Sequence, residues 1–146
     1  MRYLCLILIV ACVAPFLGAG DATTLDPALQ RAVDEATADA ALDGITLEIT
    51  SGVRTREYQQ QLLDEGIKTY GSERVARQYV NTPDRSTHVT GKAVDIGPTD
   101  AAYWLAQHGA RYGLCQIYAN EIWHFERVIE AGGTCPPQLP DASRPS

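Results

Sequence analysis

Ser86-Thr87-His88-Val89-Thr90-Gly91-Lys92-Ala93-Val94-Asp95 holds one of the chain's three histidines and, seven residues on, an aspartate, with a glycine between them. A second fragment, Glu121-Ile122-Trp123-His124, supplies another histidine and a carboxylate three positions before it. His88, Asp95 and His124 are two imidazoles and a carboxylate, the donor set of a zinc site whose fourth position stays open; Glu121 is then a spare carboxylate able to work on water there. The first fragment also decides the local fold. Asn81 to Thr87 has loop composition and delivers His88, Gly91 permits a tight turn, and Lys92 to Ile96 is a short strand. Alternation puts Ala93 and Asp95 on one face and Val94 and Ile96 on the other. Asp95 can therefore face a cavity while its neighbours face a core.

Working outward, Pro98-Thr99-Asp100 opens a helix to about Gly109 through Ala102, Leu105 and Ala106. His108 near its end suits the helix dipole and needs no metal to explain it. Leu114 to Tyr118 and Ile122 to Val128 read as two strands joined by a turn at Ala119-Asn120. In the second, Ile122, His124 and Glu126 share a face, and Trp123 and Phe125 take the other. A turn ending at Asn120 lets Glu121 bend back over the site. Upstream, Asp26 caps a helix with Pro27 at its first position, apolar residues recur from Leu29 to Ala40, and Gly44 ends it. Ile45 to Thr50 alternates as a half-buried strand, with Ile45, Leu47 and Ile49 inward. The turn Ser51 to Thr55 presents Arg54. A helix from Arg56 to Glu65 places Tyr58, Leu62 and Leu63 on one face and closes at Gly66; a second helical piece runs from Ser72 to about Tyr79.

With 146 residues and 45% hydrophobic content, the chain supports one domain with a core. Its net charge is −6, and Lys68 and Lys92 are its only lysines. That balance speaks against nucleic acid or anionic membrane as the main partner. Arg2, the apolar run from Leu4, Pro15 and the small residues Gly18-Ala19-Gly20 read as a secretory signal peptide over residues 1–22. Pro15 and the glycines interrupt the run that a transmembrane anchor would need. The domain is then 23–130, with a proline-rich tail, 131–146, ordered where Cys135 ties it down. The expected location is secreted, periplasmic or cell-wall. Ile9-Val10-Ala11-Cys12 leaves an alternative, lipoprotein anchoring through Cys12. Cys5 and Cys12 lie in the leader, so Cys115 and Cys135 remain, most simply as a disulfide. Two zinc-binding thiolates are the alternative, without any close Cys-x-x-Cys spacing.

Taken singly, each candidate has a plainer reading: His124 packed beside Trp123 and Phe125, Asp95 capping the turn at Gly97, Glu121 in a solvated turn, Arg54 in a surface ion pair. The combination shifts the weight. Ser86-x-His88-x-x-Gly91-x-Ala93-x-Asp95 with Glu121-x-Trp123-His124 resembles the D-alanyl-D-alanine metallopeptidases of family M15. These include the vancomycin-resistance D,D-carboxypeptidases and D,D-dipeptidases, within a wider group shared with lysostaphin-type enzymes. Ser51-Gly52-x-Arg54-Thr55 with Gln59 is similar to that family's Ser-Gly-Tyr-Arg-Ser segment, with Val53 in place of the aromatic. The resemblance runs from about Ile45 to Val128. It implies one zinc on His88, Asp95 and His124, Glu121 as general base, Arg54 stabilising the transition state, and Ser86 and Gln59 contacting substrate. It also implies an α+β fold, a small antiparallel β-sheet flanked by helices, acting on peptidoglycan stem peptides by removing the terminal D-alanine. An endopeptidase or D,D-dipeptidase is the rival within the class, and a non-catalytic zinc-containing cell-wall-binding module the rival outside it. Glu121 argues against the latter, since holding zinc does not need it. Glu126 departs from the family, standing where many relatives carry a basic residue, and an added negative charge there bears on how a substrate carboxylate binds. The short Gln59–Ser86 segment leaves little to cover the cleft.

Overall fold

A computed structural model describes residues 22–144; the signal-peptide reading of residues 1–22 and the alternative at Cys12 fall outside it, apart from Ala22. Four antiparallel strands form one sheet in the order β1-β2-β4-β3, where β1 is Glu48–Ser51, β2 Ala93–Gly97, β3 Leu114–Gln116 and β4 His124–Arg127. The helices are α1 (Pro27–Leu42), α2 (Arg56–Tyr70), α3 (Glu73–Ala76) and α4 (Thr99–His108), and a 3-10 turn spans Gly109–Tyr112. The α+β fold with a small antiparallel sheet is the one expected. No described helix is long and apolar enough to cross a membrane.

The strand period separates core from site. Val94 pairs with Phe125 across β2 and β4, and both are fully buried among Leu29, Ile96, Leu105 and Leu114, where α1 and α4 cover the sheet. Burying each such side chain contributes roughly 1.5–3 kcal/mol. Polar tips tie the helical layer together: Trp104 Nε1 donates to Asp43 Oδ2 at 2.8 Å and Tyr112 Oη to Asp39 Oδ2 at 2.6 Å. One residue to either side the chain faces the opposite way. Asp95 pairs with His124 and Ala93 with Glu126, so these carboxylates and the imidazole share the other face.

Asp26 caps α1 as its sequence predicts, accepting from the amides of Ala28 and Leu29. Gly91 takes φ +68°, and a Cβ there would lie 2.5 Å from the carbonyl oxygen of Thr24, so the turn after His88 requires glycine. Several local expectations are corrected. α2 does not close at Gly66; it runs on to Tyr70 and ends at Gly71 in the left-handed region. Gly66 lies buried within the helix, where a Cβ would make only ordinary contact with Ala76 and Val80. Tyr58 is half exposed, and the inward face of α2 carries Gln59 and Leu63. β1 begins only at Glu48, and Ile49 is 37% exposed. β1 is an edge strand whose register slips between Ile49 and Ser51, which breaks the alternation. β4 is shorter than expected, because Ile122 and Trp123 lie in a turn before it.

The described part of the tail makes contacts beyond Cys135. Cys115 and Cys135 form a disulfide. Beyond it, Leu139 exchanges backbone bonds with Ile117 and Ala119 at 2.8 Å, and the amide of Ala142 donates to Gln78 O. Ala142 is 3% exposed, so the tail is a strap across the domain.

Candidate metal centre

Three donors converge from separate elements. His88 comes from the loop before Gly91, Asp95 from β2 and His124 from the start of β4. All three are buried, and one ligand atom from each lies within 4.8 Å of the others. His88 Nε2 is 3.3 Å from Asp95 Oδ1, His124 Nδ1 is 3.5 Å from the same oxygen, and the two nitrogens are 3.3 Å apart. The remaining ring nitrogens face away. His88 Nδ1 lies 2.7 Å from the carbonyl oxygen of Gly52, which can only accept, so Nδ1 carries the proton and Nε2 presents its lone pair. His124 Nε2 lies 2.9 Å from Glu126 Oε1, leaving Nδ1 for the centre.

The donors fit a cation. Asp95 Oδ1 is buried without a hydrogen bond among the described residues, so three electron-rich atoms face one point. Two neutral nitrogens and an anionic oxygen, with space for a fourth ligand, are the chemistry that zinc favours. Burial works against ionisation of Asp95, but the close imidazoles of His124 and His88 and the charge of Arg54 outweigh it and hold the carboxyl well below the usual range. For His124 burial likewise opposes charge, while contacts with Asp95 and Glu126 push it up to about 9.

Glu121 lies in the turn that feeds β4, where the His124 amide donates to Glu121 O at 3.1 Å. That turn brings Oε2 to 4.0 Å from His124 Nδ1. Oε1 is buried without a partner among the described residues, and burial, aided by the negative charge of Asp95, pushes the carboxyl up to about 7 against His124 and Arg54. Arg54 is held at three points: Nη2 donates to Asp95 Oδ2 at 2.5 Å, Nε to Ser51 Oγ at 2.9 Å and Nη1 to Gln59 Oε1 at 3.3 Å. Gln59 Nε2 donates to Asn81 O at 2.8 Å, so both ends of this buried amide are taken by the chain itself. Ser86 lines the same cavity as Arg54, Gln59, Glu121 and His124. His108 is elsewhere, its ring 4.6 Å from that of Trp104.

The cavity measures about 30 Å³, room for a water or two. Tyr79, Tyr118 and Ala142 complete its wall. A wider depression of about 660 Å³ runs along α2 past Gln60, Asp64 and Lys68 but has no donor cluster. Sequence reasoning overlooked Tyr118, whose ring lies 4.9 Å from that of His124, and Ala142, which arrives through tail contacts with no local signal. The sequence left the role of Glu126 open beyond a negative charge near the centre. Glu126 does not line the cavity; it sits behind the His124 ring, and alternation in β4 had already put the two on one face.

Fold and donor geometry together define a class, a small α+β domain with a three-donor centre suited to one zinc ion. The chain belongs to the VanY family of D-alanyl-D-alanine carboxypeptidases, whose profile matches residues 22–129. It is 31% identical over 133 residues to a D-alanyl-D-alanine carboxypeptidase of Enterococcus faecalis (strain ATCC 700802 / V583), an alignment covering 73% of this chain and 48% of that protein. The chain thus spans about half the length of that relative. Among solved structures it is similar to a variant of a vancomycin-resistance D,D-pentapeptidase VanY in complex with Zn(II), with a TM-score of 0.66, 25% identity and coverage of 75% and 73% of the two chains. An L,D-carboxypeptidase, DacB, of Streptococcus pneumoniae gives a TM-score of 0.62 at 26% identity, covering 77% and 71%.

Proposed function

We propose that this chain is an exported zinc peptidase that removes the terminal D-alanine from peptidoglycan stem peptides. The observation that carries the reading is the buried Glu121 carboxyl beside the converged His88, Asp95 and His124, its Oε1 without a hydrogen bond among the described residues and its Oε2 4.0 Å from His124 Nδ1. Family membership supports the substrate class, and the disulfide supports export to an oxidising compartment.

Zinc, when bound by His88, Asp95 and His124, supplies a Lewis acid that polarises a carbonyl and acidifies water. The chain's own groups do the rest. Glu121 in its ionised form accepts a proton from the attacking water as oxygen bonds to the scissile carbonyl carbon. It then delivers that proton to the departing amine as the C–N bond breaks. A buried carboxyl beside the centre is the kind of group that can take and return a proton there. Arg54, permanently charged and held by Asp95, Ser51 and Gln59, stabilises negative charge developing on the carbonyl oxygen. Gln59 acts by orienting Arg54, and Ser86, on the cavity wall, contacts substrate.

Purified protein is expected to bind one zinc per chain and to release a single alanine from a pentapeptide muropeptide, seen by mass spectrometry. Glu121→Gln is expected to keep the metal and lose cleavage; normal cleavage by that variant refutes the mechanism. Release of a dipeptide, or cutting within a crosslink, refutes the carboxypeptidase assignment and leaves the peptidase class standing. A tetrapeptide substrate is run in parallel, because L,D-carboxypeptidases are among the structural relatives.

A further inference from the structure

We infer that Glu126 is a positioning residue that sets zinc affinity through His124, with Thr87 holding it in place; the inference rests on the zinc reading above. The two imidazoles are supported in different ways. The spare nitrogen of His88 meets a neutral carbonyl, that of Gly52, at 2.7 Å. The spare nitrogen of His124 meets a carboxylate oxygen, Glu126 Oε1, at 2.9 Å. Thr87 Oγ1 donates to that same oxygen at 2.9 Å. Thr87 and His88 are neighbours, so one short segment both supplies a ligand and anchors the group behind the other ligand.

A carboxylate accepting an imidazole N–H fixes the tautomer and ring orientation and draws charge onto the far nitrogen, which makes it a better donor; loss of such a partner costs about 10–100-fold in metal affinity. Glu126 is buried, faces away from the cavity and is bonded only to Thr87 and His124 among the hydrogen bonds of the described residues. This also accounts for an acidic residue where the resemblance leads one to expect a basic one: its charge is turned to the metal side chain and away from the substrate.

The test is zinc affinity, measured by chelator competition on the full chain for wild type, Glu126→Gln and Glu126→Ala, with folding of each metal-free protein checked by circular dichroism. Gln keeps the size and a hydrogen-bond acceptor but loses the charge. Affinity is expected to fall at least tenfold in Glu126→Gln and further in Glu126→Ala. A folded Glu126→Gln with wild-type affinity overturns the inference. If Glu126→Gln does not fold, Glu126→Asp decides, because it keeps the charge and withdraws it by one methylene: weaker zinc binding supports the inference and unchanged binding overturns it. Wild type that binds no zinc would instead sink the zinc reading itself, a separate outcome.

Discussion

Replacing Glu121 by glutamine should stabilise the metal-free protein at alkaline pH while destroying its activity. The carboxyl is buried and lifted from 4.5 to about 7. An unfolded chain ionises this group near its ordinary value, so between about pH 4.5 and 7 the folded state holds a proton that the unfolded state has released. Stability contributed by that proton is therefore present at low pH and is lost as pH rises through this window. A lift of that size corresponds to roughly 3 kcal/mol once the group is ionised in both states. Glutamine has nearly the same shape and no charge, so it escapes the penalty. His124, pushed up to about 9, stays protonated across the window in both metal-free proteins and does not distort the comparison. Urea unfolding in chelator, followed by tryptophan fluorescence at pH 5 and pH 8, measures the effect. The variant's advantage over wild type should grow by roughly 2–3 kcal/mol between the two conditions, or on the order of 10 °C in Tm for a domain of this size. An advantage that is the same at both pH values refutes the placement of an ionisable, unpartnered carboxyl in the centre. With zinc supplied, the same variant should lose about 10²–10⁴ in cleavage rate.

Arg54→Lys replaces a fork held by Asp95, Ser51 and Gln59 with a single point charge; kcat/KM at saturating zinc should fall about 100-fold or more, and a near-normal value would remove Arg54 from the mechanism. Opening the Cys115–Cys135 bridge by double serine substitution should cost about 3 kcal/mol in urea unfolding, given a loop of 20 residues, and thiol titration of the denatured wild-type protein, residues 23 onward, should find none free. Ala142→Phe puts a ring where the strap leaves a cavity of about 30 Å³, so KM should rise while zinc content stays at wild type; an unchanged KM would place substrate on another side of the centre.

Much of this centre was legible before any coordinates. The donor types, their spacing around Gly91, and the alternation that turns Val94 to the core and Asp95 to the opposite face are all local properties of the chain. The cap at Asp26 was legible for the same reason, since a cap satisfies backbone groups within a few residues. Gly66 misled because glycine signals a helix end only where its backbone turns into the left-handed region, and in this chain that turn falls at Gly71. Ile49 misled because edge position and a register slip arise from pairing with β2. By itself, then, the sequence determined which atoms are available and which face of each strand they occupy, through periodicities of two and 3.6 residues. Only the tertiary structure decided which nitrogen of each imidazole faces the centre, that burial strips Glu121 of partners and lifts its value, and that Glu126 stands behind His124. It also decided that a tail anchored by one disulfide reaches back to wall the cavity. Several of those outcomes depend on contacts between distant residues, such as the bond from Thr87 to Glu126, 39 positions on, and burial, which sets their energies, belongs to the folded molecule and to no segment of it.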